Sequence, residues 1–515
     1  MPEKSPALLP DLQPMRIQQH SGRVAAARLN KVEHLIVVLP DKPAAGAWQQ
    51  VPDGARIRDL RAKRDAGEMV STRLRNQANT GVSVGFIKSP TPKTPTTRFE
   101  QLSFAGTLAA AARPENPSSI AIIVTGFETD HTGALYEAVV LALHAHFFSL
   151  PAFKRKAAPK LRLRSIKLLG MEQRINLDRV TAEASAVNLA RWLTALPPNK
   201  LDARGYLTCV ESLAKTYQWK SNFLDEKKLK RLGAGAFLAV SQGNADNDAG
   251  IVHLRYRPTG VNKTAAPLFS LVGKGIIFDT GGTNLKPFKG MLDMHCDMAG
   301  SAVALATLVA LSETGYPHAV DCWLAITENR LSNDAYKSRD VVTASNGTTI
   351  EVIHTDAEGR MALADTLALA GLEKPKAIID FATLTGSCVA ALTDRYSGVF
   401  SNRPGLLNTL IKAGAESGER VWPFPLDDDF DDDIKSSAAD VLQCAPAGGG
   451  DHIQAARFLQ RFVPTKTSWV HLDLSAATRT GGLVQVPTEI TGFGVRYALN
   501  LILDHHDALI TGDES

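Results

Sequence analysis

Two short stretches fix what this chain can fold into, because each carries formal charge inside sequence that otherwise reads as core. The first is GKGIIFDTGGTNLKPFKGMLDMHCDMAG, from Gly273 to Gly300. The second is HTDAEGR, from His354 to Arg360. Together they hold Asp279, Asp297, Asp356, Glu358, Lys274, Lys286 and Arg360 among apolar residues and glycines. Charged groups occupy such settings when they pair with one another or hold metal. A fold for this chain must therefore bring these charges together.

The rest of the chain reads as α/β. At 515 residues it is too long for one hydrophobic core, so two domains or three are expected. Hydrophobic residues make up 44% and charged residues 21%, the mix of an ordinary globular protein. A net charge of +4 makes no demand for a nucleic-acid partner. The cysteines (Cys209, Cys296, Cys322, Cys388, Cys444) form no C-x-x-C pair and suit reduced thiols in the cytoplasm. The opening MPEKSPALLPDLQPMRIQQHS has no apolar core of signal-peptide length, and no run of about 18 apolar residues suggests a membrane span.

In the first third, the loop SPTPKTPTT (Ser89 to Thr97) cannot pair as a central strand. A strand is expected at Ile120–Phe127, a helix at Gly133–Phe148, and a strand with one wet face at Lys160–Gly170. A helix from about Arg179 to Ala195 stops at Leu196-Pro197-Pro198-Asn199 and acts as a spacer. Residues 1–178 thus read as one α/β domain, 179–200 as a linker helix and 201–515 as a second domain, each with a mixed or mostly parallel sheet flanked by helices. In the second domain, helices are expected at Asp202–Tyr217, Met298–Thr314 and Gly359–Leu372, and strands at Leu268–Val272, Ala319–Ile326 and Ala377–Phe381. Sheets of this kind place functional residues at the carboxyl ends of their strands. Lys274 follows one such strand and Thr383 another.

Each charged motif has a bland reading beside its chemical one. Gly273-Lys274-Gly275 reads alone as a tight turn with a surface lysine. Asp297 reads as the N-cap of the small-residue helix after it. Asp356 and Glu358, two apart, would face one side of an extended segment, or else favour a helix N-terminus. In combination, four carboxylates offset two divalent cations, which points to a two-metal hydrolase. Oxygen-rich ligands with few histidines suit magnesium, manganese or zinc. A lysine nitrogen binds metal only when neutral, and lysine ordinarily ionises near pH ~10.4. His295 and Cys296 read as packing rather than ligands.

With these motifs in view, the chain resembles the leucyl aminopeptidases, the M17 metallopeptidases or cytosol aminopeptidases. The family signature NTDAEGR is here HTDAEGR, GKG-x-x-FDSGG is GKGIIFDTGG, and GM-x-x-M-x-x-DM is GMLDMHCDM. LPPNKL, DFATLTGSCVAAL, AARFLQRFV and WVHLDLSAA add to the likeness, which covers roughly 185–515. The N-terminal third is similar more faintly, as a macro-like domain for regulation or assembly. The resemblance implies that Lys274, Asp279, Asp297 and Glu358 hold one metal and that Asp279, Asp356 and Glu358 hold the other. Lys286 and Arg360 match the catalytic positions. Met294, Thr383, Leu384 and Gly386 match the substrate cleft. It further implies peptide substrates with a free N-terminus, two manganese or zinc ions (or magnesium), a bicarbonate held by Arg360, and a cytoplasmic homohexamer. His354, His295 and Leu331 depart from the family pattern, as does Lys337-Ser338-Arg339-Asp340, none of them at a ligand position.

The competing class is a DNA-binding or regulatory protein on the same fold. Its sequence support is the basic set Lys154, Arg155, Lys156, Lys160, Arg162, Arg164 and Lys167, whose bland reading is a solvated strand face. A phosphatase or nuclease is disfavoured by the paired lysines. A serine hydrolase is disfavoured for want of a G-x-S-x-G elbow, and zinc-helix peptidases by the absence of H-E-x-x-H.

Overall fold

The structure is a computed structural model and describes residues 8–12, 15–63, 69–90, 96–156, 158–246 and 248–512. Residues 91–95 of the proline-threonine loop, and 1–7 and 13–14 of the opening segment, lie outside the described residues. The chain parts into two compact units. One comprises Asp11–Asn188 with Thr480–Glu489. The other comprises Leu189–Arg479 and Ile490–Ser515, with the described residues of Met1–Pro10. The helix Asp178–Thr194 carries the chain from one to the other.

The first unit is built on strands β1 (Arg16–Ser21), β2 (His34–Pro40), β3 (Met69–Arg73), β4 (Gly81–Ile87), β5 (Ser119–Val124) and β6 (Ser165–Met171). Their order is β1-β6-β5-β2-β4-β3. All neighbours are parallel except β3 and β4. Alternate residues serve the two faces, as a pleated strand requires. Ile36, Val38, Ile120, Ile122 and Leu168 pack under the helices Arg98–Ala112 and Thr129–His146. Leu35, Val37, Leu39, Ala121 and Ile123 pack with Trp48 and Ile57 on the other side.

Three expectations change in this unit. The strand foreseen from Lys160 begins only at Ser165. Before it, the Arg162 backbone N–H donates to the Asn116 side chain, so it cannot join a ladder. Of the seven basic residues there, only Lys167 lies in a strand, and Arg162 is tied to Glu33 at 2.7 Å, so they do not form one strand face. The spacing G-x-S-x-G does occur, at Gly81–Gly85, yet it lies inside β4 rather than on a strand-to-helix turn. Ser83 is buried against His34 Nε2 at 3.0 Å, and the His34 ring faces Glu115 at 3.1 Å. Burial holds the His34 pKa below its usual value. His34 and Ser83 form a buried polar pair, and Glu115 meets it from the exposed side.

The second unit carries β7 (Lys220–Asp225), β8 (Gly250–Tyr256), β9 (Phe269–Asp279), β10 (Val320–Asn329), β11 (Val341–Thr343), β12 (Thr349–Glu351), β13 (Ala377–Ala382), β14 (Ser397–Ser401), β15 (Val421–Pro423), β16 (Val441–Leu442) and β17 (Ser468–Asp473). Eight of them form a mixed sheet in the order β15-β14-β17-β13-β9-β10-β8-β7, and β11-β12-β16 form a small second sheet. The middle strands β17, β13, β9 and β10 are parallel.

The strand expected at Leu268–Val272 is β9, and it runs on to Asp279. Gly273-Lys274-Gly275 is therefore not a turn. A Cβ on Gly273 would meet the Ser301 Cα at 2.5 Å, and one on Gly275 the Ala325 carbonyl oxygen at 2.6 Å. These glycines let the helix Ala299–Glu313 lie against the sheet. From the helix side, a Cβ on Gly300 would stand 2.1 Å from the Phe381 carbonyl oxygen of β13. A further helix, Gly235–Ser241, lies in the segment Gly233–Gly243.

The helical stretch Phe288–Glu313 is long and apolar enough by composition to cross a membrane, unlike the reading from apolar runs alone. In its apolar window 83% is buried within the protein. A helix apolar on every side is a core helix when protein surrounds it.

Gly300→Ala is expected to destabilise the protein by about 1–3 kcal/mol, because backbone rather than a flexible side chain blocks the added carbon. Gly46→Ala, in a helix where the added carbon meets nothing within 4 Å, should leave stability unchanged or raise it by at most ~1 kcal/mol. Urea unfolding of the two variants checks this, and equal stability of Gly300→Ala and wild type would refute the packing argument.

Candidate metal centre

The charged residues converge at the carboxyl edge of the second unit's sheet. Lys274, within β9, is buried. Its Nζ donates to Asp297 Oδ1 at 2.8 Å and to the Thr383 carbonyl at 2.9 Å, and it pairs with Glu358 Oε1 at 3.0 Å. Gly359 makes room for it, since a Cβ there would meet Lys274 Cε at 2.5 Å. Asp279 ends β9. Its Oδ1 accepts from the Gly281 N–H and from Asn329 Nδ2, both at 2.8 Å. Asp356 lies in the turn before the helix Glu358–Leu372, and Glu358 is that helix's first residue. One oxygen from each of Asp279, Asp356 and Glu358 lies within 4.8 Å of the others. The two acids of HTDAEGR thus share a centre, although by a turn entering a helix rather than by an extended strand.

Asp297 is not the N-cap that its position suggests. It sits in the short 3-10 segment Met294–Met298, and the next helix is capped by no side chain. Its Oδ1 takes the Lys274 ammonium and, at 2.8 Å, the Thr383 hydroxyl. Lys286 Nζ lies 2.8 Å from Asp279 Oδ2 and 2.5 Å from Asp356 Oδ1. Thr383 follows β13 directly. The backbone N–H groups of Leu384 and Thr385 donate to the buried Asp473 Oδ1, and the Thr385 hydroxyl donates to its Oδ2 at 2.6 Å. Gly386 opens the helix Gly386–Leu392, and an added Cβ there would meet open space. Met294 is half-buried at the start of the segment that holds Asp297. Arg360, two residues past Glu358, is buried and bound to Asp451 and the Gln443 carbonyl.

Asn329, Asp473 and Asp451 are the residues that sequence reasoning missed. Asn329 and Asp473 close β10 and β17, where strand-end polar residues in a parallel sheet were the available signal. Asp451 carries no such sign.

The arrangement fits divalent cations. Asp297 Oδ2 and Glu358 Oε2 are buried and have no hydrogen-bond partner among the described residues. Idle carboxylate oxygens in a dry site are costly unless a cation meets them. Without one, the cluster retains protons. Burial pushes Asp297 up to about 6, with Asp279 adding repulsion against the pull of Lys274. Burial and the neighbouring Asp279 also raise Glu358 and Asp356. Burial opposes charge on Lys274, but Asp297, Glu358 and Asp279 outweigh it and hold the ammonium. Lys286 is held charged against burial in the same way, chiefly by Asp279.

Buried carboxylates with idle oxygens at the carboxyl edge of a mostly parallel core define a protein of the divalent-metal-binding α/β class. A family model described as "Cytosol aminopeptidase family, catalytic domain" matches residues 188–499, and the chain belongs to that family. A probable cytosol aminopeptidase of Stutzerimonas stutzeri is 41% identical over 333 residues, 64% of this chain and 66% of that protein. One from Parasynechococcus marenigrum is 38% identical over 380 residues, 73% of this chain and 76% of that protein. Among solved structures, a tomato leucine aminopeptidase mutant superposes with a TM-score of 0.79 at 26% identity, over 96% of this chain and 98% of that one. The bottromycin maturation enzyme BotP in complex with Mn gives 0.79 at 27% identity, over 92% of this chain and 100% of that one.

Metal uptake is expected to release protons, because Lys274 and the raised carboxyls hold protons that a cation must displace. Affinity should therefore tighten as pH rises, by about tenfold per pH unit for each proton released. Calorimetric titration with Mn2+ in two buffers of different protonation enthalpy measures the number. A zero count would contradict the site. Gly359→Ala should weaken binding as well, since it displaces the Lys274 side chain.

Proposed function

We propose that the protein is a metal-dependent aminopeptidase that removes the N-terminal residue, leucine or another mostly apolar one, from peptides with a free N-terminus. The observation that carries this is the pair of idle buried oxygens, Asp297 Oδ2 and Glu358 Oε2, on either side of one lysine in a chain of the cytosol aminopeptidase family. Lys274, Asp279, Asp297 and Glu358 would hold one cation, and Asp279, Asp356 and Glu358 the other, manganese or zinc being preferred over magnesium. Bound metals supply Lewis acidity and a readily deprotonated water.

The chain's own residues do the rest. Lys286 keeps its proton and presents positive charge where the scissile carbonyl oxygen gains negative charge. Thr383, Leu384, Gly386 and Met294 line the cleft for the first residue. Asp473 anchors the Leu384–Thr385 backbone, and Thr383 is bonded to both Lys274 and Asp297, so the substrate loop and the ligand cluster are positioned as one piece. Residues 201–515 form the catalytic part, 179–200 the linker and 1–178 a part for regulation or assembly. A cytoplasmic homohexamer is the assembly that the family resemblance supports.

Glu358→Ala should abolish manganese-dependent release of leucine from leucine p-nitroanilide, because a ligand shared by both cations is lost. Lys286→Ala should lower kcat about 10²–10³-fold. Because the Lys286 ammonium neutralises Asp279 and Asp356 in the cation-free protein, its removal should leave metal binding undiminished. Near-wild-type turnover by Glu358→Ala would reject the function. A fall in metal content of Lys286→Ala parallel to its rate would make that lysine structural.

A further inference from the structure

The family resemblance expects Arg360 to hold a bicarbonate ion, yet the guanidinium already holds an anion of the protein's own. Arg360 Nη2 donates to both carboxylate oxygens of Asp451, each at 2.8 Å, and Nη1 donates to the Gln443 carbonyl at 3.2 Å. That leaves one Nη1 N–H and Nε, the latter buried and without a hydrogen-bond partner among the described residues. A second anion there would sit against the Asp451 carboxylate and be repelled. The Arg360 side chain is 2% exposed and that of Asp451 34%, so the pair is sealed on the arginine side and open on the carboxylate side.

The chain arranges this contact locally. Gly448, Gly449 and Gly450 precede Asp451, with φ of +66°, +88° and +65°, the left-handed backbone that suits glycine. A Cβ on any of them would meet nothing within 4 Å, so conformation rather than crowding is what calls for glycine. The helix Asp451–Gln460 that follows takes no side-chain cap. The Asp451 carboxylate goes to Arg360 instead. The next residue is tied to the segment proposed to line the cleft: the His452 N–H donates to Ser387 Oγ at 2.9 Å, one residue after Gly386.

We propose that Asp451 occupies the anion seat of Arg360 and that this chain therefore works without added bicarbonate. The claim deepens the aminopeptidase reading and rests on it for what the seated anion does; the occupancy stands apart from it. In peptide hydrolysis the anion accepts the proton freed as the attacking water's O–H bond breaks, and returns it to the amide nitrogen as the C–N bond breaks. A carboxylate performs that transfer as a bicarbonate does, with no further reactant.

The test is direct binding of ¹³C-bicarbonate, followed by NMR line broadening on the full zinc-loaded chain. Wild type should broaden the line no more than Arg360→Met does. Asp451→Ala and Asp451→Asn should both gain saturable binding, and Asp451→Ala combined with Arg360→Met should lose it. In CO2-depleted buffer, leucine p-nitroanilide turnover by wild type should change less than about twofold on adding bicarbonate. Turnover by Asp451→Ala should fall about 10²-fold and recover with bicarbonate. Arg360-dependent binding in wild type overturns the proposal. So does a wild-type rate raised several-fold by bicarbonate, or two folded Asp451 variants (unchanged circular dichroism) that bind none. If no form of the protein released an N-terminal residue, the aminopeptidase reading would fall, while the binding measurements would still decide who occupies Arg360.

Discussion

Everything at the sheet edge depends on one electrostatic balance: a lysine ammonium buried among carboxylates that outnumber it. Lys274 is joined to Asp297 and Glu358, and Asp279 adds to the field that keeps it charged. Lys286 performs the same service for Asp279 and Asp356. Two ammonium groups offset only part of four acidic side chains, and the remainder is carried as raised carboxyl pKa values and idle oxygens. Removing one partner from such a buried set leaves uncompensated charge, which is strongly destabilising. The cluster is thus poised: stable enough to fold around its lysines, yet short of positive charge by an amount that divalent ions supply.

The balance is held in place by backbone contacts that tolerate no side chain. Gly273 and Gly300 bring the Ala299–Glu313 helix onto β9 and β13, and this fixes where Asp297 stands just before that helix. Gly359 admits the Lys274 stem from the opposite side. Asn329 ties Asp279 to the Thr355 carbonyl, so the end of β9 and the turn bearing Asp356 move together. The geometry of the acids is therefore a property of the packed core rather than of flexible loops.

Much of this was legible in the sequence, because the charges stand out against their surroundings and because the alternation of helix and strand is strong. The helix Glu358–Leu372 and the strand Ala377–Ala382 lie within a residue of where apolar pattern puts them. What failed did so for identifiable reasons. Glycine beside Lys274 reads equally as a turn or as a close approach, and only the presence of Ser301 across the gap decides. Aspartate before a helix reads as a cap, and only the arrival of Lys274 and Thr383 gives Asp297 other work. Lys160–Arg164 alternates like a strand, but Asn116 takes the hydrogen bond a ladder would need. Asp451 was invisible because its partner is 91 positions away in the chain. Long-range pairing leaves no local pattern.

The apolar helix Ala299–Glu313 has a cost during synthesis. The strand whose carbonyl presses on Gly300 belongs to β13, which leaves the ribosome well after the helix does. Until then a segment greasy on all sides lacks one wall of its eventual housing. Transient exposure of this sort invites self-association, so nascent chains of this protein should lean on holding chaperones through that interval, and truncation before β13 should yield insoluble product.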